Sequence, residues 1–395
     1  MNMKREEKLL LSLLQASLKN EKLTEETISS LNEESLMGVL SLSARHSVTT
    51  MIADVLLNNG LLENGELKAL YEENLMVSVY QYHQQAMELE RVCKLFEENK
   101  ICYMPLKGSV LRQLYREPWL RTCCDIDILV KPEQLDEAIK LVLACGYSLD
   151  KYYSHDVSFF TEGNMRVELH YDLIEEDSNI GNVSDVLKRV WEYARPVEGY
   201  TYAYQLENEI FYFYHIAHMV KHFIHGGCGI RSLIDGLLMR QNWDFDTEKL
   251  DKLLQDGGIF VFERKTQELV AAWWNNGKMS DVAKMMEAFI FRGGVYGSQR
   301  NAIAVEEAEN KTKFRNAMSK IFLKTSVMNS YYPILKKKKW LLPFYHVKRW
   351  CRLIFMKKDR ERSLTYLKEN RFFPNEKTKE AMDLLVQLEL KEKQD

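Results

Sequence analysis

Two aspartates, Asp125 and Asp127, stand two residues apart in the apolar run DIDILV. In a β-strand, residues two apart point to the same face and lie about 6.5 to 7 Å from each other. Two carboxylates in that arrangement repel each other unless a positive charge lies between them. Mg²⁺ prefers oxygen ligands and is commonly held by one or two carboxylates together with substrate phosphates. The pair therefore predicts a divalent-metal site for Mg²⁺ or Mn²⁺.

A third carboxylate, Glu168, follows in the alternating run RVELH. Arg166, Glu168 and His170 share one face of the strand that this run predicts, and the apolar residues share the other. A third carboxylate beside the aspartate pair completes a two-metal site, in which ions about 3.5 to 4 Å apart clamp the attacking and leaving oxygens. We therefore expect two bound ions.

A Lys-Gly-Ser sequence, Lys107 to Ser109, precedes the acids by a short helix-like segment. Gly108 allows the backbone to approach an anion, and Ser109 offers a hydroxyl and an N–H group. The segment after them is typical of a helix start, where N–H groups and the helix dipole favour phosphate. Because Lys107 adds a positive charge, this sequence predicts a phosphate site.

The acidic residues also have a structural interpretation. An isolated Asp-x-Asp pair is commonly a solvated strand edge, but the apolar residues after Asp127 indicate a buried strand, where unpaired acids are costly. Glu168 in an alternating strand is compatible with a solvent-facing side chain. The pattern argues against the first alternative and leaves the second open.

The chemical motifs fall within residues 101–173, where short β-rich runs accompany one amphipathic helix. The flanking sequence has helical periodicity on both sides. The pattern predicts an α+β fold in which a small mixed-sheet module is flanked by mainly helical regions. The expected regions are an N-terminal helical region (1–99), an α/β core (100–180), a helical region beside the core (181–290) and a basic, aromatic, mainly helical C-terminal region (291–395).

The composition is that of a globular protein, with 46% apolar and 28% charged residues. The net charge of −3 gives the 395-residue chain no overall attraction for nucleic acid. Seven cysteines without C-x-x-C spacing suit a reducing compartment. No apolar run reaches the ~18 residues of a spanning helix, and the N-terminus lacks a signal-peptide pattern. We therefore expect a cytoplasmic protein without a transmembrane segment.

Together, the Lys-Gly-Ser sequence, the Asp-x-Asp pair and the later strand carboxylate resemble the DNA polymerase β-type nucleotidyltransferase superfamily. The run LKGSVLRQLYREPWLRTCCDIDILV, with VELHYDL downstream, is similar to an uncharacterised bacterial branch related to nucleotidyltransferase toxins and antibiotic nucleotidyltransferases. The spacer from the glycine to the first aspartate is longer than in the smallest members. The resemblance implies metal-binding, catalytic roles for Asp125, Asp127 and Glu168, nucleotide-phosphate contacts for Gly108 and Ser109, and phosphate contact or ordering of the site for Lys107 and Arg121.

The resemblance implies an enzyme that moves a nucleoside monophosphate from an NTP, ATP included, to an acceptor hydroxyl and releases pyrophosphate. The acceptor is left open among small molecules, sugars, proteins and RNA. One alternative is a non-catalytic nucleotide-binding or interaction protein that keeps the fold. Another is a hydrolase built on a histidine-rich helix.

That helix is predicted in the run LENEIFYFYHIAHMVKHFIH, where His215, His218 and His222 lie near one face. It lacks the H-E-x-x-H pattern, and its apolar neighbours favour a core or contact role over a dedicated metal site. Downstream, Arg231 and Asp235 are expected to form an intrahelical ion pair. The resemblance suggests that these helices pack beside the α/β module. The residues then expected to border the nucleotide or acceptor pocket are His170, His218, His222 and Asp235.

Residues 335–362, LKKKKWLLPFYHVKRWCRLIFMKKDRER, form a strongly basic stretch with interleaved aromatic residues. A solvated charged face is one interpretation. The functional alternatives are RNA contact through phosphate neutralisation and an amphipathic segment on an anionic membrane surface. The aromatic interleaving favours the membrane over a nucleic acid.

Overall fold

The fold is a small mixed sheet set among helices, as the sequence predicts. The computed structural model describes residues 3–62, 65–174, 181–295, 297, 301, 302, 305, 318, 321–323, 325–332, 334–355 and 375–391. Its strands are β1 (Tyr103–Pro105), β2 (Asp125–Val130), β3 (Ser148–Tyr152), β4 (Asp156–Phe160), β5 (Arg166–His170), β6 (Ala194–Pro196) and β7 (Tyr204–Leu206). The first five form one sheet in the order β1-β2-β5-β4-β3, and β6 pairs with β7.

The helices precede, interrupt and follow this sheet. They are α1 (Arg5–Lys19), α2 (Glu25–Ser29), α3 (Glu33–Arg45), α4 (Thr49–Asn58), α5 (Glu66–Glu98), α6 (Gly108–Leu111), α7 (Leu135–Ala144), α8 (Val183–Leu187), α9 (Asn208–Ile224), α10 (Ile230–Asn242), α11 (Thr247–Asp256), α12 (Phe260–Trp274), α13 (Asp281–Gly293), α14 (Thr325–Tyr331), α15 (Ile334–Lys337), α16 (Leu342–Phe355) and α17 (Asn375–Gln387). Helix α9 occupies the histidine-containing run that is predicted to be helical, and α10 carries Arg231 and Asp235.

Capping residues in the sequence set the N-terminal helix boundaries. The Thr24 hydroxyl accepts a hydrogen bond from the Thr27 N–H at the start of α2. Asn32 and Ser35 exchange side-chain-to-backbone bonds at the start of α3, which is a capping box. These bonds satisfy N–H groups that have no partner within their own helices.

The central strand pair, β2 and β5, is parallel and positions the acids. Asp127 lies opposite Glu168, and Asp125 lies opposite Arg166. The strand β1 adds antiparallel to the other edge of β2. Because side chains alternate between faces along each strand, this register gathers the acidic side chains on one face of the sheet.

Two apolar clusters cover the two faces of the sheet. The smaller cluster takes Ile126 and Ile128 from β2 and packs against α5. The larger cluster joins the N-terminal helices to α9–α13 and takes Leu129 from the opposite face of β2. Asp125 and Asp127 alternate with the first pair, so they face the helices of the larger cluster.

The C-terminal part is only partly described. The end of the basic segment, residues 356–362, lies outside the described residues. Among the helices that the structure describes, none is long and apolar enough to cross a membrane.

Candidate active site

Three side chains from β2 and β5 form a group that could hold a metal ion. Ligand atoms of Asp127, Glu168 and His170 lie within 4.8 Å of one another. Asp127 and His170 are buried, and Glu168 is partly buried. Asp125, at the start of β2, lies outside this group and lines the adjoining cavity with Asp127. The parallel register thus brings together two of the three carboxylates that the sequence predicts for metal binding, Asp127 and Glu168, and adds His170 to them.

A lysine and a histidine hold Asp127 in place. Lys107 Nζ donates to Asp127 Oδ1 over 2.9 Å, and His170 Nε2 lies 2.8 Å from the same oxygen. Burial disfavours the charge of Asp127, but Lys107 and His170 outweigh it and hold the pKa of Asp127 below its usual range. Burial and the Lys107 charge lower the pKa of His170. Asp127 is therefore an anion that the protein itself partly neutralises.

Nearby positive charge offsets the carboxylates of Asp125 and Glu168 less well than that of Asp127. Burial, followed by the charges of Asp127 and Asp125, raises the pKa of Glu168 to about 8. Asp127, followed by burial, raises the pKa of Asp125 above its ordinary value. Arg166 Nε lies 3.0 Å from Glu168 Oε1 and offsets only part of this charge. Such an excess of buried negative charge fits a divalent cation, because the donors are mainly the carboxylate oxygens that Mg²⁺ and Mn²⁺ prefer.

A further acid of this face, Asp156, was not singled out from the sequence. It lies opposite His170 in the β4–β5 pair and is 3% exposed. Its Oδ2 atom makes no hydrogen bond within the described residues, and its charge adds to the rise in the pKa of Glu168. The alternation of HDVSFF, which puts Asp156 and Ser158 on one face, was the available signal.

The Lys-Gly-Ser turn leads from β1 into the four-residue helix α6. Lys107 has a backbone φ of 42°, a conformation that residues other than glycine rarely adopt. Gly108 packs so closely that a Cβ atom there would lie 2.3 Å from Cys123 Sγ. The Ser109 N–H donates to the Leu106 carbonyl over 3.1 Å, so this N–H already has a partner within the protein. Close packing therefore requires a glycine here, and phosphate contact stays a prediction.

A buried network supports this turn from behind. Arg112 donates to the Gly108 carbonyl over 3.1 Å and to Gln85 Oε1 over 2.7 Å. Gln85, on α5, donates in turn to the Cys123 carbonyl over 3.0 Å. The long helix α5 therefore ties the turn to the segment that leads into β2.

Arg121 makes a buried two-point ion pair with Asp235 of α10. Its Nε and Nη2 atoms donate to the two carboxylate oxygens over 2.7 and 2.8 Å, and Tyr115 adds a hydroxyl donor over 2.8 Å. Although burial opposes ionisation, Arg121 lowers the pKa of Asp235. Arg231 instead donates to the Thr122 carbonyl over 2.8 Å. The predicted Arg231–Asp235 ion pair is therefore wrong, because Arg121 reaches both oxygens of this carboxylate.

The histidines of α9 divide into two groups. His215 is buried, with Nε2 lying 2.8 Å from the Ser232 carbonyl of α10. His218 and His222 face each other with their Nε2 atoms 3.2 Å apart. Burial, followed by the neighbouring His222, holds the pKa of His218 well below its ordinary value. His215 thus has the helix-contact role expected from its apolar neighbours.

A cavity of about 260 Å³ lies between the acid-bearing end of the sheet and helices α9 and α10. His218, His222 and Asp235, three of the residues expected to border a nucleotide or acceptor pocket, line this cavity. The sequence prediction did not assign Lys221 or Arg231 to this cavity, although both line it. His170 borders a second, smaller cavity of about 40 Å³, which shares Lys107 with the larger one and is lined by Lys221 as well.

The chain is similar to a protein-family model and to a solved structure. The chain matches a family model described as uncharacterised nucleotidyltransferase over residues 33–275. No curated protein matches it. The solution structure of the antibiotic-resistance factor ANT(2'')-Ia is similar at 10% identity and a TM-score of 0.32, covering 49% of this chain and 98% of that chain. The family match spans more than half of the chain and includes both walls of the larger cavity. The chain therefore belongs to the uncharacterised nucleotidyltransferase family, which confirms the resemblance drawn from its motifs.

Proposed function

We propose that the protein transfers a nucleoside monophosphate from an NTP to an acceptor hydroxyl in a reaction that depends on Mg²⁺ or Mn²⁺. The observation that carries this proposal is the excess of buried carboxylate charge beside a cavity. Burial and neighbouring acids raise the pKa of Glu168 to about 8, so a cation bound beside these acids would be stabilising. The cavity of about 260 Å³ next to Asp125 and Asp127 supplies room for a reacting group.

We assign Asp125, Asp127 and Glu168 as the metal ligands, with two ions expected. The acceptor oxygen forms a bond to the α-phosphorus while the bond to the β-phosphate bridging oxygen breaks, and pyrophosphate leaves. Bound metal ions would neutralise phosphate charge and lower the pKa of the acceptor hydroxyl. With one ion bound, Glu168 would instead act directly as the base that accepts the hydroxyl proton.

The nucleotide phosphates would contact the turn at Lys107, Gly108 and Ser109. Lys107 supports this assignment because its ammonium group lies at the cavity between the turn and the acids. Of the two roles expected for Arg121, we propose the ordering role. Its guanidinium already donates to both oxygens of Asp235 and to Cys123 Sγ.

The acceptor would enter along the α9–α10 wall, where His218, His222 and Asp235 border the cavity. The acceptor's class stays open among small molecules, sugars, proteins and RNA. A cytoplasmic location is part of the proposal, and it is supported by the seven cysteines, all of which are free thiols.

The test is transfer of label from each α-labelled NTP, with pyrophosphate release, using Mg²⁺ or Mn²⁺ and cell extract as the acceptor source. We expect a labelled product with the native protein and none with Asp125→Ala/Asp127→Ala. Asp185→Ala is the matched control, because that aspartate is exposed on α8. Stabilisation by Mg-NTP without any product would instead indicate the non-catalytic nucleotide-binding alternative.

A further inference from the structure

The C-terminal basic segment carries an exposed apolar stripe. Trp340, Phe344 and Val347 are 75%, 63% and 51% exposed, and Cys351 is also exposed. Phe344, Val347 and Cys351 follow helical spacing on α16, and Trp340 precedes them by one turn. We call these four residues the apolar stripe. Large apolar side chains aligned in this way are costly to leave in water.

The stripe is not the face by which α16 packs on the protein. That role belongs to Trp350, whose Nε1 donates to the Ile321 carbonyl over 2.8 Å and whose ring lies 5.1 Å from that of Phe322. The ring of Tyr345 lies 4.6 Å from that of Tyr332, at a tilt of 44°. Because aromatic contacts already anchor one face of the helix, the stripe is available to another partner.

Positive charge surrounds the stripe. Lys338, Lys339, Lys348 and Arg352 are exposed within the same segment. Residues 335–362 contain eleven lysines and arginines against two acids, whereas the whole chain has a net charge of −3. The cations are thus concentrated on this segment and are complementary to a negatively charged surface.

We propose that the apolar stripe and its flanking lysines dock on the surface of an anionic lipid bilayer. An amphipathic helix with aromatic and aliphatic residues on one face and cations beside them lies in the interfacial plane of a membrane. An indole such as that of Trp340 is favoured at the headgroup level. A nucleic acid would use the cations but has no place for Val347, which cannot stack on bases. This inference does not depend on the proposed catalysis.

The experiment is co-sedimentation of the full chain with vesicles of phosphatidylcholine containing about 30% phosphatidylglycerol. We expect Trp340→Ala/Phe344→Ala to lower the partition coefficient by about tenfold or more, since two interfacial aromatic anchors are lost. Met76→Ala/Met87→Ala is the matched control, because these residues are 71% and 72% exposed on α5. The control should sediment as the native protein does.

A second arm tests the charges. Vesicle binding should weaken in the variant Lys338→Glu/Lys339→Glu. It should also weaken when the vesicles are pure phosphatidylcholine, and added salt should weaken it further. Native-like vesicle binding by Trp340→Ala/Phe344→Ala would overturn the proposal. Binding of RNA but not of vesicles by the native protein would also overturn it. So would a native protein that does not bind vesicles, together with a change of oligomeric state in Trp340→Ala/Phe344→Ala.

Discussion

Two buried carboxylate sites border the same cavity, and their charges are balanced in different ways. Asp235 receives two hydrogen bonds from Arg121 and one from Tyr115, and Arg121 lowers its pKa despite burial. On the opposite wall, Asp125 and Asp127 line the cavity, and beside them burial and neighbouring acids raise the pKa of Glu168 to about 8. The Asp235 carboxylate has enough positive and hydrogen-bonding partners within the protein, whereas the Glu168 carboxylate lacks enough positive charge nearby.

The difference separates a structural ion pair from a binding site. A fully paired buried ion holds two regions of the chain in a fixed relation, here the segment before β2 and helix α10. An uncompensated acid cluster costs stability that the fold offsets elsewhere, as is common at functional sites. The comparison predicts that substitutions at the two sites will have opposite consequences.

The largest expected effect is on catalysis. Asp127→Asn keeps the shape of the side chain but removes the charge of a proposed metal ligand, so we expect the rate of the proposed nucleotidyl transfer to fall by about 10³-fold or more. Single-turnover pyrophosphate release at saturating NTP measures it. Asp185→Asn, on the exposed surface of α8, should change the rate by less than about twofold. Full activity in Asp127→Asn would remove this residue from the metal site.

The next effect is on folding. Asp235→Ala leaves the buried Arg121 guanidinium without its carboxylate, and we expect the free energy of unfolding to fall by about 3 to 5 kcal/mol. Urea denaturation measures this loss. Arg121→Met/Asp235→Leu removes both charges and should recover most of the stability. A loss below about 1 kcal/mol in the single variant would contradict the structural role of this pair.

Glu168→Gln is expected to stabilise the metal-free protein at alkaline pH. The folded-state pKa of about 8 lies above the ordinary value of 4.5, so the folded state binds protons more tightly than the unfolded state. This stabilising contribution is complete below the unfolded-state pKa and is lost as the pH rises through about 8. The variant has no charge to bury, and we expect it to exceed the native stability by roughly 1 to 3 kcal/mol at pH 9.

Thermal unfolding in EDTA from pH 5 to 9 checks this expectation. The advantage of Glu168→Gln should shrink toward pH 5 and should also shrink when Mg²⁺ stabilises the native protein. An advantage that does not change with pH would show that the Glu168 carboxylate is not under electrostatic stress.

The smallest expected effect concerns Lys107, which occupies part of the space between the acids. Lys107→Met removes a cation 2.9 Å from Asp127, so we expect Mn²⁺ to bind about 3- to 10-fold more tightly in the absence of nucleotide. NTP affinity should fall in the same variant, because the proposed contact of Lys107 with a phosphate is lost. Calorimetric titration measures both affinities. Lys151→Met, on the exposed strand β3, should change neither, and weaker Mn²⁺ binding by Lys107→Met would contradict the idea of competition.

Much of the site was predictable because it depends on local periodicity. The alternation in DIDILV and RVELH places the acids on one face of each strand, and the β2–β5 register confirms that these faces coincide. The partner of Asp235 was not predictable, since Arg121 lies 114 residues away in sequence. Local spacing pointed to Arg231 instead, and only tertiary packing decides between the two. The positions of Lys221 and Arg231 at the cavity were not predictable either, because no local sequence pattern indicates which helix face packs toward the sheet.

The parallel pairing of β2 with β5 also has a consequence for the order of folding. Asp127 and Glu168 are neighbours in this pair, yet α7, β3 and β4 separate the two strands along the chain. Such non-local pairings are slow to form, because a long loop must close before any contact compensates its lost entropy. Before these strands pair, the chain therefore has no assembled carboxylate cluster that could bind a divalent ion. If the cluster assembles after the folding transition state, Mg²⁺ will slow unfolding of the folded protein and leave its folding rate nearly unchanged.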